Sequence, residues 1–254
     1  MRPRITASSP GQSPPPVRIP IFFAVTGESI VYRVIVLAVD TTSARESVAL
    51  VEGGEVRGEV RLRTSDGHSQ RLLPAIEFLL RAGGLRAADV EGFAVAVGPG
   101  SFTGLRVGLS TVQGLALAAG RPCLGLSALD ALAALVVGEA PTLVALVDGA
   151  RAEQVFGALY DAEARLLHEP RAETIDALLT RVSGPAVFVG DGAVRHRDAI
   201  RARHPEARFA KGDLYLAGML GRMAEPRLAA GEGVPPGALR PLYLRAAEIR
   251  KSAP

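Results

Sequence analysis

An apolar run that ends in an aspartate occurs twice in this chain, each copy leading into a turn and a further strand-like segment. The first is Val34-Ile35-Val36-Leu37-Ala38-Val39-Asp40, continued by Thr41-Thr42-Ser43. The second is Leu143-Val144-Ala145-Leu146-Val147-Asp148, continued by Gly149-Ala150-Arg151. An uninterrupted run of this length, rich in β-branched residues, describes a strand buried on both faces. Such a strand belongs in the interior of a sheet covered above and below, so two of them call for two covered sheets.

The segments around each run repeat in the same order. After Asp40 come a strand at 47–51, a turn at Glu52-Gly53-Gly54, and a strand at 56–64. In the last, Val60 and Leu62 alternate with Glu59, Arg61 and Arg63, as on a sheet with one wet face. A helix capped by Ser69 then places Leu72, Leu73, Ile76, Leu79 and Leu80 on one arc and stops at Gly83-Gly84, with Phe78 outside the arc among Arg71, Pro74 and Arg81. A buried strand at 93–97, a helix at 105–119, a strand at 123–126 and a helix at 127–137 capped by Ser127 complete the half. After Asp148 the pattern returns as strands at 155–160 and 166–169, a helix at 174–181, and a strand at 187–189 running into Gly190-Asp191-Gly192. The expectation is an α/β protein of two similar lobes, 33–137 and 138–254, each a mixed sheet flanked by helices, with a cleft between them.

With 254 residues, 48% of them hydrophobic, the chain has material for two modest cores. The 29 basic residues exceed the 26 acidic ones by only three, without a dense Lys/Arg run, which argues against a dedicated nucleic-acid surface. The single cysteine, Cys123, excludes an internal disulfide and fits a reducing cytoplasm. Residues 1–32 differ in kind: their Pro and Ser clusters carry no sustained period, so they are expected to be disordered or a mis-annotated extension. The apolar patch at 19–25 is too short to span a membrane.

Between the strand at 93–97 and its helix lies Gly98-Pro99-Gly100-Ser101-Phe102-Thr103-Gly104-Leu105-Arg106. A glycine and hydroxyl loop opening onto a helix N-terminus suits a phosphate or carboxylate. No Lys-Ser/Thr follows the last glycine, however, and the spacing is not Gly-x-Gly-x-x-Gly, so a tight turn for close helix-on-sheet packing fits equally well. The helix that follows is apolar nearly all round. Its Gly104, Gly108, Gly114 and Ala116 allow close approach within the core or across an oligomer interface. Asp40 and Asp148 facing a cleft, with Thr41, Thr42, Gly100, Ser101, Gly190 and Gly192 nearby, would make a weak nucleotide site; the plainer reading has the two acids capping turns. The four histidines show no metal-ligand spacing, and Ser101 lacks a nucleophile elbow.

Four stretches together, Val36-Leu37-Ala38-Val39-Asp40-Thr41-Thr42, His68-Ser69-Gln70-Arg71-Leu72-Leu73-Pro74, the Gly98 to Arg106 loop and Pro241-Leu242-Tyr243-Leu244-Arg245, closely resemble the bacterial TsaB (YeaZ) family over residues 33–245. The resemblance implies an actin-like ATPase fold of two lobes and a role in making threonylcarbamoyladenosine in tRNA. It implies a non-catalytic subunit that pairs with the catalytic subunit TsaD and the small ATPase TsaE and forms a homodimer in isolation; the near-balanced charge adds the expectation that tRNA is met only through the complex, and no cofactor is expected beyond weak ATP or ADP binding. The catalytic relative carries a His-rich metal motif after the strand matching 123–126; here Gly125-Leu126-Ser127-Ala128-Leu129-Asp130 stands instead. The family's partner contact uses first-lobe helices, which on their arcs places it at Leu72, Ile76, Phe78, Gly104, Gly108 and Val112. The competing reading is an ATP-dependent phosphotransferase or peptidase-like hydrolase working through Asp40 and Asp148.

Overall fold

The computed structural model describes residues 23–26, 29–32, 34–63, 68–149, 153–212 and 214–244, with backbone alone for 23–32, 68 and 69. A short antiparallel ribbon, β1 (Phe23–Thr26) and β2 (Ser29–Tyr32), comes first. It departs from the expectation of a disordered stretch through residue 32, and both of its strands carry the aromatic and β-branched residues that favour pairing. Residues 1–22 lie outside the described residues.

The first sheet contains β3 (Val36–Asp40), β4 (Arg45–Glu52), β5 (Glu55–Arg63), β6 (Gly92–Gly98) and β7 (Cys123–Ser127), with α1 (His68–Ala82) between β5 and β6 and α2 (Phe102–Ala119) between β6 and β7. A short α3 (Ala128–Ala134) crosses to the second sheet, which contains β8 (Thr142–Asp148), β9 (Gln154–Asp161), β10 (Leu166–Thr174), β11 (Ala186–Val189) and β12 (Arg208–Phe209). Its helices are α4 (Ile175–Leu179), α5 (Asp191–Arg195) and α6 (Arg197–Arg203), and α7 (Ala217–Ala229) follows β12.

Both sheets have one topology. Their orders are β5-β4-β3-β6-β7 and β10-β9-β8-β11-β12, each an antiparallel meander of three strands extended by two parallel strands. The Asp-ended runs, β3 and β8, are the central strands, and β3 is buried along its whole length. That is the two-lobed α/β arrangement of an actin-like fold.

The lobes do not divide the chain as simply as 33–137 and 138–254. α7 packs on β3 and β4 of the first sheet, where the Glu225 carboxylate accepts from Gly53 N at 2.5 Å and Gly54 N at 2.7 Å. The chain then pairs Val234 with Cys123, and Gln113 Nε2 donates to Pro236 O, so residues 217–242 complete the first lobe rather than the second. A central core forms between the sheets: Val36, Ala38 and Ala96 from one, Leu143, Ala145 and Val189 from the other, with α3 and α7 between them. Separate cores lie outside, under α1 and α2 on the first sheet and under α4, α5 and α6 on the second.

Ser127 caps α3, its Oγ accepting from Leu129 N and Asp130 N, but the helix ends at Ala134 instead of 137. α1 starts at His68, and the side chain of Ser69 lies outside the described residues. Ser101 is the N-cap of α2, which therefore begins at Phe102 and not at 105.

Candidate functional site: an inter-lobe cleft and an exposed helical face

The sequence-predicted cleft residues gather in two groups, one at the end of each central strand. In the first lobe Asp40 is fully buried, and its Oδ1 accepts from Thr42 N at 2.9 Å and Thr42 Oγ1 at 2.7 Å. This is a turn-capping carboxylate. Its Oδ2 has no hydrogen-bond partner among the described residues. Burial, reinforced by the charges of Asp191 and Glu46, pushes the Asp40 carboxyl up to about 6, against the lowering pull of the Thr42 bonds.

The glycine loop lies directly on this turn. Ser101 N donates to Thr42 O at 2.7 Å, Gly104 N to Ser101 Oγ at 3.2 Å, and Thr41 Oγ1 to Gly104 O at 2.7 Å. A side chain at Gly100 would overlap the Thr42 carbonyl, one at Gly104 the Thr41 carbonyl, and one at Gly108 the Thr41 hydroxyl. The loop and first turn of α2 thus use these glycines, and two of these N–H groups, to pack on their own chain. Of the two uses left open for the loop, close packing is the one its contacts carry.

The second lobe repeats the arrangement. A side chain at Gly190 would overlap the Leu146 carbonyl, and one at Gly192 would press on Leu146 and Val147 at 3.1 Å. Asp191 between them accepts from Asp148 N through Oδ1 at 2.9 Å, and Asp148 Oδ2 pairs with Arg195 at 2.5 Å. Burial raises the Asp191 carboxyl, with the Asp148 charge adding to the shift and the Arg45 charge from the first lobe opposing it. The structure therefore brings Asp40, Thr41, Thr42, Gly100 and Ser101 together, and Asp148, Gly190 and Gly192 together. Asp191, read in the sequence only as part of a glycine turn, faces both groups. Its signal was its place in the repeat, directly after the strand that pairs parallel with the central one.

Chemically the two strand ends offer few free functional groups among the described residues. Among the described residues no three His, Cys, Asp or Glu side chains are arranged to hold a metal ion. The stretch that replaces the relative's metal motif has structural work: besides the Ser127 cap, Asp130 Oδ1 accepts from the buried Tyr160 hydroxyl at 2.7 Å. Burial also pushes the Cys123 thiol up to about 11, away from thiolate chemistry.

The expected partner surface needs correction. Leu72, Ile76 and Val112 are 0 to 2% exposed and form the first lobe's outer core, and Gly104 and Gly108 face Thr41. An amphipathic period identifies an arc without telling whether sheet or partner covers it, and here the sheet does. Phe78 alone of the six is on the outside, 63% exposed. Leu73, read as part of the inward arc, joins it at 53%. On the neighbouring α2 the outward residues are Ser110, Gly114, Leu117 and Ala118; Leu117 is 74% exposed, and a side chain at Gly114 would meet nothing within 4 Å. The two helices together present a mixed face: on α1 the exposed Glu77–Arg81 ion pair lies between Leu73 and Phe78, while on α2 the outward residues near Leu117 are small.

No helix among the described residues is long and apolar enough to cross a membrane. Residues 51–195 match the family model described as TsaD, tRNA N6-adenosine threonylcarbamoyltransferase. The tRNA threonylcarbamoyladenosine biosynthesis protein TsaB of Escherichia coli is 34% identical over 62% of this chain and 71% of its own. The Bacillus subtilis protein of the same name is 30% identical over 65% and 74%. The solved structure of YeaZ from Pseudomonas aeruginosa superposes with a TM-score of 0.71 at 31% identity, covering 83% of this chain and all of that one. Sequence identity, coverage and superposition agree, and the chain belongs to the TsaB (YeaZ) family.

Proposed function

We propose that this chain is a non-catalytic subunit in the biosynthesis of tRNA N6-threonylcarbamoyladenosine, acting in the cytoplasm as a scaffold for the catalytic TsaD subunit and the TsaE ATPase. The biosynthetic role follows from the relatives of the same family. The observation that carries the scaffold reading is the contrast between a cleft engaged with its own backbone and an exposed helical face without cover. Leu73 and Phe78 on α1 with Leu117 and the open Gly114 on α2 suit a partner that lays helices across the pair. In isolation the same face would pair with a second copy of the chain, so homodimer and heterodimer compete for it.

Catalysis is assigned to the partner, because Asp40 is turned into its own Thr42 and Asp148 is paired with Arg195. Cofactor is not required; ATP or ADP binding at Asp40, Thr41, Thr42, Gly100, Ser101, Asp148, Gly190 and Gly192 would be weak. Reconstitution of the modification with and without this chain, scored by mass spectrometry of the tRNA nucleosides, tests the proposal. Yield should depend on the chain, and equal yield in its absence would overturn the reading.

A further inference from the structure

Charge is distributed unevenly over the two lobes. Between residues 195 and 211 six cations, Arg195, Arg197, Arg201, Arg203, Arg208 and Lys211, stand against two acids, Asp198 and Glu206. The surplus of four in this stretch exceeds the whole chain's surplus of three, so the remaining residues are together slightly acidic. Elsewhere among the described residues some arginines are paired, as in Arg81 with Glu77, Arg86 with Asp89, Arg165 with Asp161 and Arg227 with Glu232, while others such as Arg121 and Arg171 are scattered singly. Here Arg195 alone is paired; Arg197, Arg201, Arg203, Arg208 and Lys211 have no carboxylate partner among the described residues. Arg201 and Arg203 complement the C-terminal dipole of α6, which accounts for two of the charges and not for the other three.

The cations are also organised. The Arg197 and Arg201 guanidinium groups lie over the Phe209 ring at 4.3 and 5.6 Å, which fixes two of them against β12 at the sheet edge. Phe209 in turn packs on Phe188, and Phe188 on His204. His204 and Arg203 wall a cavity of about 350 Å³, otherwise lined by Gly184, Pro185 and Ala186 and by Pro205 to Ala207. Two fixed arginines on one face of β12, with Arg208 on the other face of the same edge strand and Lys211 two residues beyond β12, stand beside a small, mainly apolar hollow whose lining also includes Glu206; the edge matches a polyanion that also offers flat apolar groups. Nucleic acid has both in every repeat unit, whereas a lipid headgroup lacks the second and an acidic peptide has it only where an aromatic residue falls beside its acids.

We infer that the α6 and β12 edge of the second lobe is an RNA-binding surface, its arginines holding phosphates of the tRNA substrate and its hollow receiving one unstacked base. The choice of tRNA rests on the proposed function. It places direct tRNA contact on this chain, against the expectation from overall charge that RNA is met only through the complex.

The test is fluorescence anisotropy of the full chain with an unmodified in vitro transcript of a tRNA that reads codons beginning with A. In the triple variant Arg201→Gln, Arg208→Gln, Lys211→Gln, affinity at about 50 mM salt should fall tenfold or more, and the slope of log affinity against log salt should lose about two to three, near one for each phosphate contact removed. The Arg201→Lys, Arg208→Lys variant should keep most of the affinity, and circular dichroism should show every variant folded. Absence of tRNA binding by the unaltered chain, an unchanged affinity in the triple variant, or equal binding to phosphatidylglycerol vesicles would overturn the inference. The reconstituted reaction separates the two proposals. Modification that depends on the chain while tRNA affinity ignores the triple variant removes only the RNA surface; affinity that follows the variant while modification ignores the chain removes only the scaffold.

Discussion

The two lobes share a strand order and differ in what covers it. On the first, the long helices α1 and α2 stack on the sheet and leave Leu73, Phe78 and Leu117 facing outward. On the second, α4, α5 and α6 are five to seven residues each, and the exposed edge is cationic. The two sheets thus share their central strands and strand order while their helical faces differ in length and charge. What remained common is the fit of a glycine turn against the end of the central strand, Gly100 and Gly104 on Thr41-Thr42 in one lobe and Gly190 and Gly192 on Leu146-Val147 in the other.

That common fit yields the largest expected effects. Gly104→Val and Gly190→Ala each force a Cβ into a main-chain carbonyl, and Gly190 also has φ of 112°, so each should destabilise by on the order of 4 kcal/mol in urea unfolding. A large loss in one lobe and none in the other would break the equivalence.

A smaller effect separates the acids. Asp40 binds its proton in the folded protein up to about pH 6, whereas an unfolded aspartate releases it near 4. Over that interval the folded state holds more protons than the unfolded one. The contribution of Asp40 to stability is therefore full below pH 4 and is lost as pH rises through 6, by on the order of 3 kcal/mol. Chemical unfolding of the Asp40→Asn variant from pH 4 to 8 should show stability gaining on the parent by about that amount; parallel curves would contradict a carboxyl raised by burial.

The smallest effects lie on the outer face. Phe78→Asp should leave thermal stability within about 0.5 kcal/mol of the parent, since the side chain is mostly in water, while weakening self-association in sedimentation velocity. Gly114→Ala should add about 0.5–1 kcal/mol from helix propensity, its Cβ meeting nothing. A destabilised Gly114→Ala monomer would mean that this face is already filled.

Much of this was readable from residues alone, for physical reasons. Short uninterrupted runs rich in β-branched residues, such as 143–148, suit central strands, and their repetition pointed to two sheets. α7 was not readable, because Gly218, Gly221 and Pro226 break the usual helix signal; in the structure Gly218 lies against Val56 and Gly221 against Val51, close approaches that a larger residue would block. β12 has two residues, too few for any period. Within the cleft, Asp40 was legible as a strand-end acid, but the contact of Asp191 with the Asp148 main chain depends on parallel pairing between strands about forty residues apart. The interface residues were misassigned for the opposite reason: the arc of Leu72 and Ile76 is real, and periodicity does not tell a sheet from a partner. The cationic edge disappeared in the average, since balanced totals conceal a local surplus.

The central claim is that the outer helical face, not the cleft, does this chain's work. Its most direct test is the yield of threonylcarbamoyladenosine, by mass spectrometry, in the reconstituted reaction with two folded variants. The face variant is Leu73→Asp, Phe78→Asp, and the cleft variant is Asp40→Asn, Asp148→Asn. The account predicts that the face variant loses at least tenfold in yield while the cleft variant stays within about twofold of the parent. A cleft variant without activity beside a fully active face variant would contradict it.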